Sequence, residues 1–322
     1  MLDLAINNLL SPIVLSFVLG LFAALARSDL SVPEAVAKGM SLYLLFAIGF
    51  KGGVSVADHG IDPRLLGALV AGVVLSFGLP LIAFALLRGI SGMSRTDAAA
   101  VAGHYGSISI VTFVAASSVL SDAGIAAEGY MVAVAAAMEA PAILSALWLV
   151  SRGSGGGRMT AELWHEILLN GSIVLLLGAF AIGMITGKDG LDKIASFIVN
   201  PFQGVLCLFL LDMGLIAGRG LRQGSSVLDR GAIGFAVLMP LVGAGAGLAL
   251  GMVLGLSTGG VLLLMVLAAS ASYIAVPAAM RVALPEANPS IYLTLSLAVT
   301  FPFNLTLGIP IYLAAARMMT GG

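Results

Sequence analysis

Two carboxylates lie deep inside apolar runs of this chain, Glu139 in MEAPAIL and Asp212 in LLDMGLIAG. A charge at the centre of a bilayer costs at least ~2.5 kcal/mol, so such a group faces a cavity or a partner. Glu139, with Pro141 bending the backbone behind it, is placed to coordinate sodium, to exchange a proton, or to bond a neighbour's hydroxyl. Asp212 is placed to tether helices or to serve the same purpose. Two other apolar runs are interrupted by small and polar residues: Gly103-His104-Tyr105-Gly106-Ser107-Ile108-Ser109 and Ser270-Ala271-Ser272-Tyr273-Ile274-Ala275-Val276-Pro277. Clustered Gly and Ser weaken a helix in lipid, and Pro277 removes a backbone donor and frees a carbonyl one turn earlier. Both stretches therefore read as helix breaks. Half-helix N-termini there can hold an anion through backbone N–H groups, while freed carbonyls and hydroxyls can hold a cation. The competing reading is close packing, since Gly, Ala and Ser let helices approach. Asn304, Thr300 and Thr306, around Pro302, are candidate cation ligands on the last apolar run.

Other chemistry finds less support. His104 is the one histidine inside an apolar run, His59 and His165 fall near opposite faces of the membrane, and no HExxH spacing occurs. A zinc site is not expected. The single cysteine, Cys207, excludes a disulfide framework or a cysteine metal site. No nucleophile–base pair stands at catalytic spacing, so an enzyme is not expected. Lys51 reads as a snorkelling side chain.

The elements that position these residues are spanning helices. Of the 322 residues, 60% are hydrophobic and only 10% charged, too few charges for a water-facing surface. There is no basic block for nucleic acid. Ten stretches are long and apolar enough to span: about 8–26, 36–57, 64–88, 97–118, 127–151, 166–187, 194–218, 230–255, 258–281 and 290–316. Barrel-type alternation is absent. The fold class expected is thus an all-α integral membrane protein. No Lys or Arg precedes Arg27, so the first run lacks a signal peptide's basic head and reads as a retained helix. Ten of the 15 Lys and Arg fall on one side of such a bundle, which puts both termini outside by the positive-inside rule. Ser151–Arg158, SRGSGGGR, is the clearest linker and bears no P-loop Lys-Ser/Thr ending.

The halves repeat. Ile48-Gly49-Phe50 stands 165 positions before Met213-Gly214-Leu215, and Met138-Glu139 stands 165 before Phe303-Asn304. Asp62-Pro63-Arg64 lies about 166 before Leu228-Asp229-Arg230, and the two break segments are offset by 166. Five spans per half invert the second copy, the architecture of many secondary transporters. The expected division is a first five-helix repeat over 1–151, a glycine-rich cytoplasmic linker over 152–162 and a second, inverted repeat over 163–322.

LFAIGFKGG (45–53), GHYGSISIVTF (103–113), MEAPAIL (138–144), AASASYIAVPAAMR (268–281) and LPEANPSIYL (284–293) together resemble the SbtA-type sodium-dependent bicarbonate transporters, in order and over nearly the whole chain. The resemblance implies ten helices in gate and core domains, a homotrimer in the plasma membrane, and inward movement of bicarbonate with sodium by an elevator motion. By position it implies a substrate pocket at Tyr105, Gly106, Ser107, Ser109, Ser272, Tyr273 and Ala275. Glu139 matches an acidic position of the family, and with Thr300, Asn304 and Ser270 it makes the candidate ion-binding set. The chain departs from cyanobacterial members at Tyr273, where they carry an acidic residue, and at Val276, where they are glycine-rich. Its linker is also short, whereas theirs is long and a PII-like regulator acts from that side. Proton-coupled transport through Glu139, and a membrane sensor or scaffold without transport, are the alternatives.

Overall fold

The computed structural model describes residues 10–59, 63–151, 171–224, 229–273, 276–277, 280 and 284–321. The linker over 152–162, His165, Asp62, Leu228 and Ala275 lie outside the described residues.

All regular elements described are helical. They are α1 (Pro12–Leu25), α2 (Glu34–His59), α3 (Arg64–Ile90), α4 (Arg95–His104), α5 (Ile110–Asp122), α6 (Met131–Ala137), α7 (Glu139–Ser151), α8 (Gly171–Ile198), α9 (Phe202–Gly224), α10 (Arg230–Val253) and α11 (Thr258–Ala269). The last, α12 (Pro289–Thr320), widens into π-helical turns at Thr294–Thr300 and Asn304–Gly308.

Among the described residues, seven helical spans are long and apolar enough to cross a membrane: Glu34–Asp58, Arg64–Ile90, Met131–Leu149, Val174–Ile198, Phe202–Arg222, Arg230–Val253 and Pro289–Thr320. The protein is a multi-pass membrane protein. The other three expected spans hold the shorter apolar helices Pro12–Leu25, Ile110–Asp122 and Thr258–Ala269. α1 starts at Pro12 behind its Ser11 N-cap and ends at Leu25, and the fourth and ninth spans are cut by the breaks the sequence signals. The helix end expected at 187 falls on Gly187 (φ 57°, ψ −153°), whose backbone is not helical, so α8 is two helices joined at a kink; the second runs on to Ile198 before the turn at Pro201. Positive φ is available to glycine at no steric cost, so the kink falls on that residue.

Two glycine seams join distant parts of the chain. α1 packs on α9, where a Cβ at Gly20 would strike the Leu211 carbonyl and one at Gly214 the Phe17 carbonyl. α2 packs on α8, where Gly53 lies against the Phe180 carbonyl and Gly183 against that of Phe50. Lipid tails are as apolar as Leu, so backbone approach through small residues is what holds such pairs together. Polar links then close the helix ends. Asp97, in the first turn of α4, accepts from Asn288 N at 2.8 Å just before α12. Ser257, the N-cap of α11, donates through its N and Oγ to Glu128 just before α6, both at 2.8 Å.

Candidate functional site

α4 stops at His104 and α5 restarts at Ile110, leaving 105–109 non-helical. α11 stops at Ala269, where Ser270 turns extended (φ −84°, ψ 163°). Such interruptions strand backbone N–H and C=O groups that lipid cannot satisfy. Here each break satisfies the other. Ser109 N donates to Ser270 Oγ at 2.9 Å, and Ser272 N donates to the His104 carbonyl at 2.8 Å. As the first break advances from 104 to 109, its partners retreat from 272 to 270, so the two cross antiparallel. Ser270 Oγ passes its own hydrogen to the Leu267 carbonyl at 3.0 Å. Ser109 also caps α5, accepting from Thr112 N at 3.3 Å and Thr112 Oγ1 at 2.9 Å.

Ser107 reaches sideways from the first break and donates to Glu139 Oε2 at 2.7 Å. Glu139 is 8% exposed and stands in the first turn of α7. There the N-terminal partial positive charge of the helix favours an anionic side chain. The fifth span is thus interrupted as well, by the turn at Met138, whose carbonyl accepts from Ser76 Oγ of α3.

Proline shapes the flanking helices. Pro240 removes the donor that would serve the Ala236 carbonyl, and Thr300 Oγ1 replaces it at 2.6 Å. Tyr105 OH in turn donates to Thr300 Oγ1 at 2.7 Å. Pro80 likewise frees the Ser76 carbonyl, and Gly106 fits against both; a Cβ there would collide with them. Asn304 closes the end of α11, donating to the Ala269 carbonyl at 2.8 Å and accepting from Tyr312 OH at 2.9 Å. Thr306 Oγ1 turns back on the Pro302 carbonyl of its own helix at 2.7 Å.

Every described residue of the expected anion set, Tyr105, Gly106, Ser107, Ser109, Ser272 and Tyr273, is in or beside the crossing of the breaks. Tyr273 packs edge-on against Phe301 with centroids 5.4 Å apart. Its buried hydroxyl lies near Ser109 without making a hydrogen bond to it. Of the expected ion set, Glu139 joins Ser107 and Ser270 joins Ser109. Thr300 and Asn304 instead spend their hydrogen bonds on carbonyls of α10 and α11. His104 stacks on Tyr292 with centroids 4.4 Å apart, its Nδ1 2.7 Å from the Ala100 carbonyl and its Nε2 buried without a partner. Asp212, 4% exposed in α9, feels the charge of Arg219.

Two clefts lie at opposite ends of α9. One, of about 560 Å³, is lined by Lys51, Ser55, Ser117, Glu128 and Gln203 among others. The other, of about 310 Å³, is lined by Ile216, Gly220, Ser290, Leu293 and Thr294 among others. Their linings correspond at one offset. Lys51, Gly52, Ser55, Glu128, Gly129 and Val132 of the first stand 165 positions before Ile216, Ala217, Gly220, Leu293, Thr294 and Leu297 of the second.

The family model of the Na+-dependent bicarbonate transporter superfamily matches residues 12–317. The chain belongs to that superfamily. A comparison with curated proteins finds no match. In this superfamily member the polar residues that sequence reasoning missed are Ser76, Thr112 and Tyr312. Thr112 was signalled by its place three residues after Ser109, the spacing of an N-cap pair. Ser76 was signalled as a hydroxyl four residues before Pro80, where the carbonyl is freed. Tyr312 carried no local signal.

Proposed function

We propose that the protein is a sodium-coupled secondary transporter that takes up a small anion, with bicarbonate the leading substrate. The observation that carries this is the crossing of the two breaks, cross-bonded at Ser109–Ser270 and Ser272–His104 inside an apolar bundle. Preformed backbone dipoles at such a point replace water around an ion. The N-terminus of α5 behind Ser109 suits the anion. The Glu139 carboxylate and the Ser107 hydroxyl suit sodium, a hard cation that takes oxygen ligands. Bound together, the charges lower each other's cost in low dielectric, so the loaded site can cross where a half-loaded one cannot.

The equal offset of the two cleft linings supports a 5+5 inverted repeat over 1–151 and 163–322. So do the seams, since α1 on α9 and α2 on α8 exchange under a two-fold relation between halves. The polar links do the same: the N-terminal end of α4 ties to the approach to α12, and that of α11 to the approach to α6. Four helices, α1, α2, α8 and α9, then form a gate, and the broken helices form a core that slides past it in an elevator motion. Ten of the 15 Lys and Arg on one side support both termini lying outside a plasma membrane. The homotrimer rests on the resemblance alone.

Uptake of labelled bicarbonate into proteoliposomes, with and without an inward sodium gradient, tests the proposal. Gradient-dependent uptake is expected; equal uptake in both removes the sodium claim. A second reading, proton coupling through Glu139, is favoured by one observation. Among the described residues this buried carboxylate has a hydroxyl partner, Ser107, and no ion-pair partner. In that case a pH gradient drives uptake without sodium, and Glu139→Gln abolishes it.

A further inference from the structure

We propose that Lys51 and the α5 hydroxyls lining the same cleft form an anion-collecting site in the larger cleft, separate from the crossing and feeding it, with a small oxyanion of the bicarbonate class as ligand. This rests on the transport reading and adds to it a first stop for the substrate.

Lys51 stands on the α2 wall with Nζ 3.9 Å from the centroid of the Phe202 ring. The ring face steadies an ammonium but leaves its N–H donors unused. Among the described residues no carboxylate pairs with Lys51. The acidic groups around the cleft are committed elsewhere. Glu128 takes both Ser257 hydrogens at 2.8 Å, and Asp122 accepts from Gln203 Nε2 at 3.1 Å. Glu128 keeps its own negative charge, but Lys51 is the one cation among the described lining residues of this cleft, and no carboxylate stands against it. Ser118 and Ser121 of α5 also line it and can donate to an oxyanion held at the ammonium, while Ser117 beside them already donates to the Phe113 carbonyl at 2.9 Å. The same helix begins at the crossing with Ser109, so an anion collected here lies along the wall that leads to the breaks.

The site is one-sided. The position equivalent to Lys51 in the smaller cleft is Ile216. The cation there, Arg219, already donates to the Leu30 carbonyl at 3.1 Å and faces Asp212. A positive charge in a low-dielectric cleft raises the local anion concentration and speeds capture, and salt screens that effect. Collection therefore works from the Lys51 side alone.

The test is initial-rate bicarbonate uptake by proteoliposomes carrying wild type, Lys51→Gln or Lys51→Arg, at low and high ionic strength. Lys51→Gln is expected to raise KM about fivefold or more at low salt with kcat kept, and the gap to close at high salt. Lys51→Arg is expected to restore the wild-type KM. A wild-type KM in Lys51→Gln at low salt overturns the site. So does a loss of kcat shared by both variants, which marks packing on Phe202 rather than charge. The wild-type control is read separately: if it takes up no bicarbonate, the transport reading itself falls.

Discussion

Ser107 and Glu139 show what one hydrogen bond does at this depth. The carboxylate is buried, and the Ser107 hydroxyl donates to it at 2.7 Å. Ser107→Ala leaves the anion short of a donor, a loss of about 1–3 kcal/mol. In the sodium-coupled reading the hydroxyl also orients the carboxylate toward the cation, so the sodium concentration for half-maximal uptake should rise about tenfold. Uptake measured over a sodium titration checks this; an unchanged titration would show that Glu139 is not a sodium ligand. At the same scale the sequence was only half legible. Pro240 announces that the Ala236 carbonyl is free, but not that Thr300, 64 residues away, will fill it. Thr300 and Asn304 read as cation ligands because an intramembrane hydroxyl or amide has few reasons to exist. In the structure both repair backbone that a proline or a helix end left open, and their oxygens keep lone pairs that a cation can use.

The breaks are properties of elements, and they were legible because Gly, Ser and Pro fail locally as helix formers. The turn at Met138 was legible only as a bend, through Pro141 in the first turn of α7, which removes the donor that would serve the Ala137 carbonyl. The first break depends on Gly106, whose missing Cβ admits the Pro80 ring and the Ser76 carbonyl. Gly106→Ala should cost about 1–3 kcal/mol through overpacking. The expected result is a lower melting temperature in detergent together with lost uptake; wild-type values for both would mean the break shifts freely. Asp229 works at the other end of α3. It caps α10 through Ala232 N at 2.6 Å and ties down Gly92 N at 2.9 Å. Those N–H groups, Gly92 first, hold its carboxyl below the ordinary 3.8. A depressed carboxyl stabilises the fold fully above its ordinary value and loses that contribution as pH falls through the lower, folded one. Asp229→Ala should therefore cost about 1 kcal/mol at neutral pH. The gap to wild type should shrink as the buffer is taken below pH ~4, the ordinary carboxylate range. Melting curves at both pH values decide it, and a gap that widens on acidification would contradict the capping role.

At the scale of the whole molecule, the offset of 165 was legible because its anchors are polar or glycine-bearing, whereas Leu and Val can be matched in any register. What no single span could reveal is that the same offset relates two clefts at opposite ends of α9, and that they differ in size, about 560 against about 310 Å³. Under the inverted repeat proposed above, a pair of equivalent clefts of unequal size is what alternating access requires, one face open while the other is narrowed. Ser55 and Gly220 are equivalent positions in the two, both half-buried. A Cβ at Gly220 meets nothing closer than Ala298 Cβ at 3.8 Å, so the site accepts a side chain. With Cys207 replaced by serine, Ser55→Cys should react quickly with an impermeant thiol reagent from its own side, and Gly220→Cys slowly from the other. Sodium and bicarbonate added together should move the two rates in opposite directions, because opening one cleft closes its counterpart. Rates that rise or fall together would mean that the clefts breathe independently, and the inequality between them would then say nothing about transport.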